Sequence, residues 1–241
     1  MRARTSARFS AMDAGDEAEE EGVMILPDGY SDEARALWEA ATALNRAAAA
    51  VSPKAAGLPP LLFFTDPERT PQPWVTVARL PAGAGVVFRA FGATDAVETG
   101  RRLREAADAS GVRLLIGLDA DLAEAVAADG LHLPEREAGR ASAIRAARPD
   151  WMLTAAWHGG ASPTVEGLDA LVLSPIFPAG GASAAKPALG LEGFRNRVRT
   201  AGRPVYALGG IKASDAGALG ESEACGLAGV EAIQAAFRFR T

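Results

Sequence analysis

Imidazoles are scarce in this chain, with only His132 and His158 among 241 residues. Both stand at or beside the end of an apolar run, Gly130-Leu131-His132-Leu133 and Trp151-Met152-Leu153-Thr154-Ala155-Ala156, the second leading into His158. Short apolar runs between turn-forming residues read as buried strands, and ligands of parallel α/β sheets sit where such strands end. A neutral imidazole suits proton shuttling near pH 7. His158, ahead of Gly159-Gly160, is therefore a candidate catalytic group, or else a hydrogen-bonded turn histidine. His132, flanked by two leucines, is a candidate for a direct role or for framework.

Anion chemistry is written elsewhere. Gly209-Gly210 follows the apolar run Val205–Leu208 and precedes a helical stretch. Glycines there let backbone N–H groups approach a phosphate, and the next helix N-terminus adds a favourable dipole. The bland alternative is a tight turn needing positive φ. Ile233-Gln234-Ala235, read as the loop after the last strand, would add further amides from Gln234 and Ala235. Arg89 closes the run Gly85–Arg89 and should point into the same cup, the alternative being a surface pairing with Asp95 or Glu98. Ser174-Pro175-Ile176-Phe177-Pro178 opens a Gly/Ala-rich loop to Pro187 whose only charge is Lys186. So long a loop, low in side-chain mass, suits a mobile lid. Asp119, Asp121, Glu135 and Glu137 could include Mg²⁺ ligands, Asp119 and Glu137 being the candidate pair. They are equally ordinary acids for the first turn of a helix.

The elements that must position these groups alternate along the chain. Strand-like runs fall at Leu61–Thr65, Gly85–Arg89, Leu114–Leu118, Gly130–Leu133, Trp151–Ala156, Ala170–Ser174, Pro204–Leu208 and Gly229–Ala232. Helical stretches fall between them: Gln72–Leu80, Thr94–Ser110 (capped by Thr94 and closed by Gly111), Leu122–Ala128, Glu135–Ala147, Pro163–Gly167, Leu191–Thr200, Ser214–Leu219 and a last one to Phe237. Eight strand-helix units predict one α/β domain, a (β/α)8 TIM barrel over residues 29–241, with an open doubly wound sheet as the alternative. Ahead of it, Ser31 caps an amphipathic helix over 31–51 with Ala34, Leu37, Trp38, Ala41, Leu44 and Ala48 on one face. Its place before the first strand predicts a lid across the N-terminal end of the barrel. Residues 1–28, with a basic piece and then an acidic one, predict a disordered tail, or a true start at Met12 or Met24.

Composition bounds the partners. The formal charge of −5 argues against a nucleic-acid surface. No apolar run approaches the roughly 18–20 residues of a membrane span, so a cytoplasmic protein is expected. The single Cys225 excludes an intramolecular disulfide and a Cys-based zinc cage, and reads as an inert thiol in a loop. The residues leave a homo-oligomer open.

Taken in order, these pieces resemble the thiamin-phosphate synthase/TenI family of TIM barrels. The resemblance runs from Leu62-Phe63-Phe64-Thr65-Asp66 through Asp121-Leu122-Ala123, Ala128-Asp129-Gly130-Leu131-His132-Leu133 and His158. It continues with Asp169–Pro178, Leu189-Gly190-Leu191-Glu192-Gly193 and Val205–Ile211, and covers about Leu61 to Phe237. The resemblance implies one of two reactions. Synthases join a pyrimidine diphosphate to a thiazole phosphate with Mg²⁺, whereas TenI members tautomerise a thiazole phosphate carboxylate through a histidine that matches His158 and need no cofactor.

The departures fall on the synthase chemistry. Phe91 stands where the family has lysine after Arg89, Gly117-Leu118-Asp119 replaces an Asn-Asp-Arg triplet, and Glu135 and Glu137 replace Gln and a metal-binding Asp. Lys186 is out of register with the lid lysine, whose place falls near Ala182 or Ser183, and Gln234 replaces a phosphate-loop Ser. Stabilising a departing diphosphate needs fixed cations, each worth about 2.7–4 kcal/mol. The resemblance therefore implies a thiazole-phosphate-binding isomerase of the TenI type, with a divergent synthase (a transferase) and a non-catalytic phosphate-ligand binder as alternatives.

Overall fold

A computed structural model describes residues 26–160, 166–180 and 186–238. The tail expected over 1–28 falls almost wholly outside these residues, as do most of the helix expected at Pro163–Gly167 and the lid positions Ala182 and Ser183. The described chain is a closed parallel barrel in which β1 (Leu61–Phe64), β2 (Gly85–Phe88), β3 (Arg113–Gly117), β4 (Gly130–Leu133), β5 (Met152–Trp157), β6 (Ala170–Leu173), β7 (Val205–Leu208) and β8 (Gly226–Gly229) pair in sequence order. Closure is direct: β1 pairs with β8 through Leu61↔Leu227, Leu62↔Ala228 and Phe63↔Gly229. The outer helices are α2 (Pro73–Val77), α3 (Ala96–Ser110), α4 (Ala120–Ala125), α5 (Ala141–Ala147), α6 (Gly190–Thr200), α7 (Ala216–Leu219) and α8 (Glu231–Phe237). No described helix is long and apolar enough to cross a membrane.

The strands are mostly apolar because both faces are covered, with Arg113, His132 and Thr154 the polar residues among them. Alternate residues divide between two cores. Leu62, Phe64, Val87, Leu115, Met152, Val172 and Tyr206 fill the barrel interior. Leu61, Phe63, Val86, Leu114, Leu131, Leu153 and Leu171 meet the helices outside. His132 lies between Leu131 and Leu133 and so has interior parity.

Three expectations are corrected. The first helix, α1 (Asp32–Val51), is capped by Ser31 as its sequence dictates, Ser31 Oγ accepting from the Ala34 amide at 3.1 Å. Only its last turns reach the N-terminal end of the barrel, where Ala48 and Ala49 pack on the interior core and Asn45 Nδ2 donates to Ala55 O and Leu58 O. The helix runs along the wall against β8, α7 and α8, where the four-residue α7 leaves room for Leu37, Trp38, Ala41 and Leu44. The floor is closed by the segment between α1 and β1, with Ala55 and Leu58 in the interior core and Tyr206 Oη donating to Pro59 O at 2.6 Å.

The eighth strand is Gly226–Gly229 rather than Gly229–Ala232, because Glu231–Phe237 is already helical. Small residues without strand propensity are held extended there by β7 and β1. Finally, α3 begins at Ala96 with Asp95, not Thr94, in the capping position. The smaller shift over Glu135–Ala147 is that its first part, Glu135–Arg140, is a 3₁₀ turn ahead of α5.

Candidate active site

All eight strands run the same way, so their C-terminal ends bring Asp66, Arg89, Gly117–Asp119, Glu135, His158, Ser174, Gly209-Gly210 and Val230 to one rim. On one side of that rim is a cavity of about 470 Å³ lined by Arg69, Arg89, Leu208–Lys212, Ala228–Ala232 and Ala235, with Pro178–Gly180 above. Arg89, Gly209 and Gly210 are thus brought together as the sequence suggested, whereas Ala235 reaches the cavity from within α8 and not from a loop.

The two glycines are there for steric reasons. Gly209 and Gly210 have φ of +101° and +67°. A Cβ on Gly209 would lie 2.8 Å from Pro175 Cα, and one on Gly210 would lie 2.4 Å from the Pro178 carbonyl. The turn is pressed against the β6 loop, with the Phe177 amide donating to Gly209 O at 3.1 Å. A side chain would push the loops apart and carry the backbone out of the cavity wall.

Arg89 is held by the end of β1. Its Nε donates to Thr65 O at 2.7 Å and its amide to Thr65 Oγ1 at 3.0 Å. Its charge partner is Asp66, 3.6 Å away, and not Asp95 or Glu98. Burial pushes its pKa down and Asp66 opposes this, but a guanidinium keeps its charge. Its Nη2 is buried with no hydrogen-bond acceptor. Gly117 makes this posture feasible, since a Cβ there would lie 3.3 Å from Arg89 Cγ and 3.3 Å from Phe88 O.

Asp66 joins two cations. Its Oδ2 is 2.7 Å from Arg69 Nη2, and its Oδ1 accepts the amides of Glu68 and Arg69. The hydrogen bond from Arg69, with that amide and the charges of Arg69 and Arg89, holds the Asp66 carboxyl below its ordinary value against the effect of burial. Sequence reading misses Arg69 and Lys212 as cavity cations. The signal for Arg69 is Asp66-Pro67-Glu68-Arg69, an Asx turn that folds a side chain at the fourth position back onto the first. Lys212 follows Gly209-Gly210-Ile211 directly, and its amide donates to Asp215 Oδ2 at 2.8 Å.

A second feature lies on the rim at β5. His158 Nδ1 and Glu135 Oε2 are 2.6 Å apart, and the Glu135 carboxylate also accepts the His158 amide at 3.4 Å. The His158 side chain is 34% exposed. A carboxylate on Nδ1 fixes the imidazole ring and leaves Nε2 as the working nitrogen. The sequence offers Glu135 only as a metal ligand or helix acid, and its role as partner to His158 is not legible there. The two residues are 23 apart and meet only because β4 and β5 are neighbours.

His132 is framework in its contacts. It is 8% exposed, with Nδ1 2.9 Å from Thr154 Oγ1 and its ring edge-on to Phe64 at 4.9 Å. Burial, aided by the charge of Arg89, pushes its pKa down to about 3, so it is neutral at physiological pH. Ser174 is buried, its amide donating to Trp157 O at 3.1 Å, and Lys186 is exposed; neither lines the cavity. Gln234 corrects a further expectation. It sits within α8, not in a loop, and its amide is spent on Val230 O at 3.1 Å. The amide-bearing segment after β8 is Val230–Ala232. Cys225 is buried beside the barrel floor, and burial drives its thiol pKa far up.

Two exposed rim positions beside Arg89 and Gly117 are apolar. Phe91, 70% exposed, stacks on the Arg89 guanidinium at 5.3 Å, and Leu118 is 37% exposed. Both are held at positive φ, 49° and 68°. Of the carboxylates considered for Mg²⁺, Asp119 caps α4 by accepting from the Leu122 amide at 2.9 Å. Glu137 pairs with Arg140 at 3.7 Å and Arg136 at 3.8 Å. Among the described residues no group of three or more His, Cys, Asp or Glu is placed to hold a metal. Asp119 and Glu137 are each engaged within the protein and form no all-protein Mg²⁺ cage.

Similar proteins agree with the architecture. A family model described as thiamine monophosphate synthase (TMP-TENI) matches residues 61–233. A putative thiamine-phosphate synthase of Geobacter sulfurreducens is 32% identical over 142 residues, covering 58% of this chain and 65% of that protein. A thiamine-phosphate synthase of Limosilactobacillus fermentum is 27% identical over 180 residues, covering 70% and 84%. That of Geobacillus kaustophilus is 35% identical over 141 residues, covering 56% and 63%. The matched segments thus span just under two thirds of the Geobacter and Geobacillus proteins. The solved thiamine phosphate pyrophosphorylase of Pyrococcus furiosus superposes with a TM-score of 0.62 at 24% identity, over 73% of this chain and 91% of that one, which speaks for the fold. With the family model spanning nearly the whole barrel, the chain belongs to the thiamine monophosphate synthase family of thiamin biosynthesis.

Proposed function

We propose that this family member binds thiazole phosphate and moves a proton within it, as a TenI-type tautomerase. The observation that carries the reading is the His158–Glu135 pair at 2.6 Å on the same rim as the cationic cavity. Gly209, Gly210 and Arg89 hold the phosphate together with the segment Val230–Ala232, with Arg69 and Lys212 beside them. His158 Nε2 takes a proton from the ring system and returns it at a second position. Glu135, on Nδ1, stabilises the imidazolium that exists between the two transfers. No leaving group departs, so the reaction asks for no cation aimed at diphosphate. This agrees with Phe91 and Leu118 in the places where such groups would stand.

The second reading is synthase activity, favoured by the names of the relatives. One experiment separates the readings. The purified chain is mixed with thiazole phosphate carboxylate, with and without pyrimidine diphosphate and Mg²⁺, and both products are followed. Tautomer interconversion without Mg²⁺ is expected. Thiamin phosphate formed at ordinary enzyme rates would overturn the tautomerase reading, and binding without either product would leave a ligand carrier.

A further inference from the structure

We propose that Arg69 is a displaceable anion clamp: Asp66 holds one edge of its guanidinium, and Glu231 occupies the other until a phosphate dianion takes its place. The proposal rests on the phosphate-binding reading of the cavity and adds the residues that set its selectivity. Arg69 offers two faces. Nη2 is tied at 2.7 Å to Asp66 Oδ2, a short charge-assisted bond in a loop that Asp66 itself folds through the amides of Glu68 and Arg69. Nη1 instead faces Glu231 Oε2 at 3.5 Å, too long for a good hydrogen bond. The Arg69 side chain is 24% exposed and that of Glu231 is 62% exposed, so one partner is anchored and the other can swing into water.

Both residues line the cavity with Gly209, Gly210 and Lys212. A carboxylate at the wall of an anion site repels the ligand unless it leaves. Its departure frees Nη1 for the phosphate, while Arg89, tied through Asp66 to the same network, adds its positive charge to the cavity wall. Glu231 thereby acts as an internal competitor. A neutral ligand does not displace it, and a singly charged one gains less from doing so than a dianion. Glu231 is thus a specificity-determining residue and Asp66 a positioning residue.

The test is calorimetric titration of the full-length chain with inorganic phosphate and with phenyl phosphate. E231Q removes the competitor and should tighten both ligands roughly twofold to fivefold, the span of an exposed ion pair. R69Q removes a charge-assisted bond and should weaken both by about tenfold or more. The double variant R69Q/E231Q should bind like R69Q, because the carboxylate competes only for Arg69. Unchanged or weakened binding in E231Q, or tightening that persists in the double variant, overturns the clamp while leaving the phosphate reading in place. A wild-type chain that binds neither ligand overturns the phosphate reading, and the clamp with it.

Discussion

His132 gives the sharpest quantitative handle on this molecule, through acid stability. Its folded-state pKa is about 3 against 6.5 in the unfolded chain, because burial strips water from the ring and Arg89 repels its charge. Above pH 6.5 neither state carries the proton and the residue makes no pH-dependent difference. Below 6.5 the unfolded chain binds a proton that the folded chain refuses, so stability falls with pH until about pH 3. The limiting slope is about 1.4 kcal/mol per pH unit once the unfolded imidazole is fully charged, giving a loss of roughly 2 kcal/mol between pH 6.5 and 4.5. Carboxylates such as Asp66 add their own acid sensitivity, so the comparison must be with a variant. H132Q retains a partner for Thr154 Oγ1 and cannot titrate. Urea unfolding at pH 7 and pH 4.5 should show the wild type losing roughly 2–3 kcal/mol more than H132Q. Parallel losses in the two proteins would refute the burial argument, and would place a protonated imidazole inside the barrel.

Three other outcomes rest on the described contacts. H158A should abolish tautomer interconversion while phosphate binding survives, and E135Q should slow it by about 10²-fold or more at near-constant KM, as read by steady-state kinetics. G209A should lower the unfolding midpoint and weaken phosphate binding together, since the left-handed backbone alone costs roughly 1–2 kcal/mol before the contact with Pro175 is counted. Cys225 should resist alkylation in the native protein and react only as fast as the chain opens, because the buried thiol is kept protonated; rapid labelling under native conditions would contradict its placement.

What could be read from the sequence was mostly local. Gly209-Gly210 after an apolar run, Ser31 before a helical stripe and the mostly apolar strands carry their reasons in adjacent residues, and the structure bears out these elements. Gly226-Leu227-Ala228-Gly229 could not be read that way. Nothing in those side chains favours an extended chain; the pairing partners impose it, and misplacing the strand carries Gln234 and Ala235 into the wrong kind of element. The helix α1 is legible as a helix but not as a wall element, since its seat exists only because α7, far along the chain, is short. Site pairs show the same division. Asp66–Arg69 is a turn within four residues, whereas Glu135–His158 needs the register of two strands.

The seat of α1 also orders events in time. Ser31 bonds to a carbonyl 205 residues away and Asn45 to one 180 residues away, so this helix is made long before its partners. At about 5–20 residues per second, the face bearing Leu37, Trp38 and Leu44 waits roughly 9 to 36 s on the ribosome before β8 exists to receive it. Docking of that helix and closure of β1 on β8 draw on the same late segment, so the two are expected to complete together. A nascent chain stalled short of β8 would display an amphipathic helix lacking its β8 and α8 partners, a natural handle for a chaperone.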